Sequence, residues 1–101
     1  MIEKWADFLI TAVRFNSAGT HIVFVEARAD RGAVGKACLL SRTEVIETLE
    51  SGYTYCTAIE SGASKWEMGA AVEIVTVHDQ PFMKTAPDEI ACDNLGDVPR
   101  I

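Results

Sequence analysis

A single capping box constrains this chain more than any other feature. Ser41-Arg42-Thr43-Glu44 lets the Ser41 hydroxyl accept from the third helical N–H while Glu44 reaches back to the Ser41 N–H. Val45, Ile46 and Leu49 then form one apolar stripe and Gly52 supplies a stop, so a helix is predicted over about 42–51. No other convincing helix start occurs. What flanks the helix is strand-forming: Phe8–Phe15, His21–Ala27 and Lys36–Leu40 before it, Tyr53–Ile59, Ala71–Val77 and Phe82–Thr85 after it. Asn16-Ser-Ala-Gly19 makes a hairpin turn between the first two, and "ESGASKWEMG" reads as a connection. The predicted fold is a single α+β domain over 1–101. It is a five- to six-stranded, mainly antiparallel sheet in the order βββ-α-βββ, with its helix on one face.

Alternation along the strands raises a question of cover. In strict two-residue alternation Phe8, Ile10 and Ala12 oppose Leu9, Val13 and Phe15, and Ile22 and Phe24 oppose Val23, Val25 and Ala27. Both faces are then oily, unlike an antiparallel sheet with one solvated side. Six strands at ~4.8 Å spacing span about 25–29 Å. A ten-residue helix is about 15 Å long and ~10–12 Å wide, so it shields only part of one face. The remaining cover is expected from curling of the sheet into a partial barrel, from Trp5, the Trp66 loop, a second subunit, or the segment Asp93-Asn-Leu-Gly-Asp-Val-Pro99. That segment combines turn formers with two apolar anchors, Leu95 and Val98, and is expected to dock on the sheet with Asp93 holding an Asx-type turn.

Hydrophobic residues make up 49% and charged residues 24% of the 101 positions, a globular rather than disordered balance. No apolar run approaches the ~20 residues of a membrane span. The N-terminus carries no secretory pattern, and Cys38, Cys56 and Cys92 are odd in number and widely spaced; a cytoplasmic location with reduced thiols is expected. The net charge of −6 argues against a general nucleic-acid binder. Charge is nonetheless uneven. Arg28, Arg31, Lys36 and Arg42 stand against Asp30 in residues 27–42, whereas Asp88, Glu89, Asp93 and Asp97 stand against Arg100 in residues 86–101.

Several segments in order, Ile10-Thr-Ala-Val-Arg14, "SRTEVIETLESG" at 41–52, "MKT" at 83–85 and "DNLGDVP" at 93–99, are similar to those of a small bacterial domain-of-unknown-function (DUF) family. The resemblance spans residues 8–99. Members more usually carry Arg where Lys84 stands and Leu where Val98 stands. What the resemblance implies is a domain-sized unit that includes 93–99, with no assigned activity, cofactor or catalytic residue.

Chemistry-bearing patterns are sparse. The cysteines with His21 and His78 lack C-x-x-C or H-x₃₋₅-H spacing, and the acidic C-terminal residues lack the order of a calcium loop, so neither metal nor cofactor is expected. "RGAVGK" lacks the spacing and context of a phosphate loop. Arg14 is expected to extend over the sheet and pair with Asp93 or Asp97, the alternative being an anion-binding surface with Arg28, Arg31 and Lys36.

Three functional expectations follow. The first is a small, non-catalytic bacterial protein-interaction module, monomer or weak homodimer. It binds a protein partner or itself through apolar sheet surface and rim, with Arg14, Arg28, Arg31, Lys36, Trp66, Asp93, Asn94 and Asp97 as candidate contacts. The second is a nucleic-acid accessory protein using Arg28–Arg42 with Tyr53 or Tyr55 stacking on bases. The third is a small thiol-dependent enzyme using Cys56 and His78, residues expected on neighbouring strands.

Overall fold

The computed structural model describes residues 6–30, 34–60, 62, 66–85, 92–96 and 98–101. Its elements are β1 (Phe8–Phe15), β2 (Ile22–Asp30), β3 (Val34–Ser41), α1 (Arg42–Glu50), β4 (Tyr55–Glu60), β5 (Trp66–Ala71), β6 (Glu73–Val77) and β7 (Gln80–Lys84). The α+β class holds, with one helix among the described residues, but the strands there number seven and form two sheets. A five-stranded sheet runs β3-β2-β1-β4-β5, and β6-β7 is a separate hairpin.

The main sheet is mixed rather than simply antiparallel. Phe8, Leu9 and Ile10 of β1 pair in parallel with Tyr55, Cys56 and Thr57 of β4. The reason lies in the connection: β1, β2 and β3 follow one another with short separations in sequence, whereas α1 carries the chain back over the sheet, as parallel placement requires. Two further departures come from the stretch after β4. Trp66–Gly69, predicted to be the end of a connection, lies in β5; Gly69 within it marks a bulge rather than a loop. The run Ala71–Val77, predicted to be one strand, breaks at Val72, whose N–H donates to the Tyr55 carbonyl at 2.9 Å while the chain crosses from one sheet to the other. His78 and Asp79 then turn the β6–β7 hairpin with φ of 50° and 63°, both left-handed, as a two-residue turn between twisted strands demands.

Two bulges settle which side chains face the core. Between Ile10 and Ala12 the pairing of β1 with β2 skips Thr11, and between Arg14 and Phe15 it skips Val23. Each extra residue reverses the alternation beyond it. Phe8, Ile10, Val13 and Phe15 therefore share one face with Ile22, Val25 and Ala27, and all belong to the main core with Val45 and Ile46. The opposite flank of β1 and β2 carries Leu9, Arg14, Phe24, Glu26 and Arg28. The oily second face expected from strict alternation is thus corrected: it is mixed, with a small cluster of Ala6, Leu9, Cys56 and Ala58 beside Trp66.

The capping box forms as read. Ser41 Oγ accepts from the Glu44 N–H at 3.2 Å, and Glu44 Oε1 accepts from the Ser41 N–H at 3.1 Å. Cover on the helix side is shared: Val72 and Met83 around the hairpin and Leu95 and Val98 of the C-terminal segment are buried in the same core as Val45. Asn94 bridges Lys84 and Arg100 bridges Val13, both in parallel. Since β2 occupies one side of β1, the chain end sits on the side that β4 uses lower down, with Val13 N–H donating to the Pro99 carbonyl at 2.9 Å and its carbonyl accepting from the Ile101 N–H at 2.8 Å.

Candidate functional site

Asp93 was expected to hold an Asx-type turn; its carboxylate instead joins four segments. Oδ2 accepts from the Ile22 N–H at 2.7 Å and Oδ1 from the Met83 N–H at 2.9 Å. Arg42, the first residue of α1, adds Nε–Oδ2 at 2.9 Å and Nη2–Oδ1 at 3.2 Å. The Asp93 N–H donates to the Thr20 carbonyl at 2.8 Å. The start of β2, the end of β7, the helix and the C-terminal segment therefore converge on one buried side chain. The Asx-type contact belongs to Asn94, whose Oδ1 accepts from the Gly96 N–H at 2.9 Å with Gly96 at φ 74°. A carboxylate saturated this way is an internal latch and leaves no lone pair obviously free for a ligand.

With Asp93 taken by Arg42, the predicted Arg14–Asp93 pairing does not form. Arg14 is exposed and its Nε donates to the Ile101 carbonyl at 3.2 Å. Arg28 is held within the sheet: Nη1 donates to the Gly35 carbonyl at 3.0 Å, Nη2 meets Glu26 Oε1 at 3.3 Å, and the guanidinium lies 5.2 Å from the Trp66 ring centre. Its buried Nε has no hydrogen-bond partner among the described residues. Lys36 is exposed on β3. Arg31 and Asp97 lie outside the described residues, as does Trp5. The candidate contacts are thus not one site. Arg28 and Trp66 meet, Asp93 faces inward, Asn94 is exposed beside it, and Arg14 and Lys36 stand apart.

The basic region offers little for a phosphate backbone, because the guanidiniums of Arg28 and Arg42 are committed to Glu26 and Asp93. Tyr53 is half exposed, but Tyr55 is buried with its hydroxyl 2.6 Å from Thr48 Oγ1, so only Tyr53 could stack on a base. The thiol pair fares similarly. Cys56 is buried among Leu9 and Ala58, while His78 is exposed at the tip of the β6–β7 hairpin in the other sheet; they are not on neighbouring strands. Burial raises the Cys56 thiol above its ordinary value, and the Asp30 charge adds to the shift, the reverse of what a nucleophile needs. Cys38 is the exposed cysteine.

Among the described residues no group of three or more His, Cys, Asp or Glu is placed to hold a metal ion. Nor is any described helix long and apolar enough to cross a membrane. Two hollows occur. One, beneath the C-terminal segment, is lined by Val13, Phe15, Leu95, Val98 and Arg100, with the Arg100 guanidinium stacked 4.3 Å from the Phe15 ring centre. The other is a groove between Leu49, Tyr53, Tyr55, Val72 and Ile74. The first also has Cys92, Asp93 and Asn94 in its lining, with the Asp93 carboxylate already spent on Ile22, Met83 and Arg42, and the second is lined mainly by apolar side chains.

What the sequence did not single out is the exposed apolar set on the flank away from the helix: Phe24 on β2, Leu39 on β3 and Met68 on β5, at 44%, 63% and 54% exposure. Leu39 pairs with Glu26 and Phe24 with Ser41, so the two sit on adjoining strands of one flank. A signal was present: Leu39-Leu40 in a short strand forces one leucine outward. Arg42 also carried one, since a cation at a helix N-terminus opposes the dipole and needs another use.

No protein-family model matches the chain, and no curated protein or solved structure does either.

Proposed function

We propose that this chain is a small, non-catalytic protein-interaction module whose contact surface is the flank of the main sheet opposite α1, together with its β3 rim. The observation that carries this reading is Leu39, 63% exposed on an edge strand and adjoining Phe24 at 44%. Large apolar side chains grouped at a sheet margin are the usual mark of a surface that another protein covers. Binding rather than chemistry is favoured because the buried Asp93 carboxylate and Tyr55 hydroxyl are consumed in holding the fold together.

The test is site-specific photo-crosslinking in cells. A photoreactive residue at Phe24 should give discrete protein adducts, to another copy or to a different protein, while the same residue at Glu47, exposed on α1, should give none. Absence of adducts at Phe24, or equal yields at both positions, overturns the reading.

A further inference from the structure

We propose that two copies of this chain associate edge to edge by antiparallel pairing of their β3 strands about a twofold axis at Leu39. The inference rests on the interaction reading above and names its partner.

Strand β3 ends the main sheet, with β2 its sole described neighbour, so the outer backbone groups of this strand point away from the sheet. Water satisfies such a row at an exposed edge, and the row is also a ready template for pairing with a second strand along its length. The opposite edge, β5, is poorly suited to this. Its pairing with β4 is interrupted by a bulge, and it carries Glu67 and Gly69. On β3, by contrast, Ala37, Cys38, Leu39, Leu40 and Ser41 pair with Arg28 to Phe24 without irregularity. Those five residues contain no charge, glycine or proline. Natural edges are usually blunted by such devices, and this window has none.

The same window selects the register. Two identical strands paired about an axis perpendicular to the sheet keep each side chain on its own face only when the axis passes through a residue. An axis at Cys38 sets Lys36 against Leu40, and an axis at Leu40 draws in Arg42, which belongs to α1. An axis at Leu39 pairs Ala37 with Ser41, Cys38 with Leu40, and Leu39 with its twin. The most exposed large apolar side chain among the described residues is thereby set against its own copy, a self-complementary contact of the kind a twofold dimer needs. The short window and the net charge of −6 on each copy make the association weak and strengthened by salt.

Light scattering over a concentration series, in low and high salt, reads the first consequence: the mass should rise from 11.0 kDa toward twice that value. Leu39→Asp places like charges face to face and should return the protein to monomer, with an unchanged circular dichroism spectrum because Leu39 is exposed. The second consequence is geometric. Directly opposed residues on antiparallel strands have Cα atoms about 4.5–5.5 Å apart, within disulfide reach. The Cys38→Ser/Leu39→Cys variant should therefore oxidise to a covalent dimer at least tenfold faster than a Cys38→Ser/Glu47→Cys control. A monomer at every concentration, a dimer indifferent to Leu39→Asp, or equal oxidation rates overturns the proposal. If the purified protein is monomeric but Phe24 crosslinks to a different protein in cells, the dimer fails and the interaction reading stands. If the protein is monomeric at every concentration and Phe24 gives no adduct, both fail.

Discussion

Asp93 and Arg42, fifty-one positions apart, meet in a two-point contact of 2.9 and 3.2 Å on a carboxylate that is fully buried. The same carboxylate satisfies the Ile22 and Met83 N–H groups. Asp93→Ala leaves all of these donors without an acceptor and should cost about 3–5 kcal/mol, the range for breaking a buried ion pair from one side. Arg42→Ala, whose side chain is partly exposed, should cost less, and a double-mutant cycle in urea should show strong non-additivity. Asp93→Asn keeps an oxygen for one N–H and should fall between. Wild-type stability in Asp93→Ala would remove the latch.

Gly69 offers a second check on the fold. A Cβ built there collides with Thr57 Oγ1 and lies 3.1 Å from the Thr57 carbonyl, while Thr57 Oγ1 accepts from the Ala70 N–H at 3.0 Å. Gly69→Ala should therefore displace β5 from β4 and lower stability by about 1–3 kcal/mol, as overpacking does. Gly19→Ala is a useful contrast: its penalty comes from φ 72° and not from contact, because nothing lies within 4 Å of the added Cβ. Thr57→Ser should not rescue Gly69→Ala, since it retains the colliding oxygen, whereas Thr57→Ala should recover part of the loss.

How far the fold could be read in advance depends on whether each feature is local. The capping box at Ser41 and Glu44, the left-handed Gly19 and the apolar anchors Leu95 and Val98 are short-range signals, and each has the structural counterpart its chemistry implies. The bulges at Thr11 and Val23 were invisible because neither residue differs in kind from its strand neighbours; only pairing with the partner strand decides where the extra residue falls. That hidden shift made an amphipathic surface look oily on both sides. The parallel pairing of β1 with β4 was equally non-local, and so was the choice of Arg42 over Arg14 as the partner of Asp93. At the candidate interface, Leu39-Leu40 told that one leucine must point outward, but not that β3 would be an edge.

The cysteines separate a binding module from a thiol enzyme. Cys38 is exposed, Cys56 buried, and burial followed by the Asp30 charge raises the Cys56 thiol above its ordinary value. At pH 7 under native conditions a thiol reagent should modify Cys38 well before Cys56, and Cys38→Ser should remove the fast phase. Mass spectrometry of the labelled protein reads this directly. Rapid modification of Cys56 in the folded state would revive the thiol-dependent alternative.

Alkaline pH tests the environment of Tyr55. Burial raises its phenol above the ordinary 10.0, the Thr48 hydrogen bond works against this, and the negative charges of Cys38 and Glu44 add to the rise. For an acid whose folded value is raised, the neutral form is favoured by folding. The contribution is complete below the unfolded value and is lost as pH climbs through the folded one. Cys56, raised from 9.0, has the same sign and begins its loss at lower pH. Urea midpoints should accordingly hold steady through neutral pH and fall from about pH 9 upward, more steeply beyond 10. Tyr55→Phe removes the hydroxyl that lies 2.6 Å from Thr48 Oγ1, so it should start about 1 kcal/mol less stable at pH 7. Above pH 10 its decline should nevertheless be shallower than that of the wild type, and the two curves should converge. Parallel curves across that range would mean the Tyr55 phenol titrates as freely in the fold as out of it.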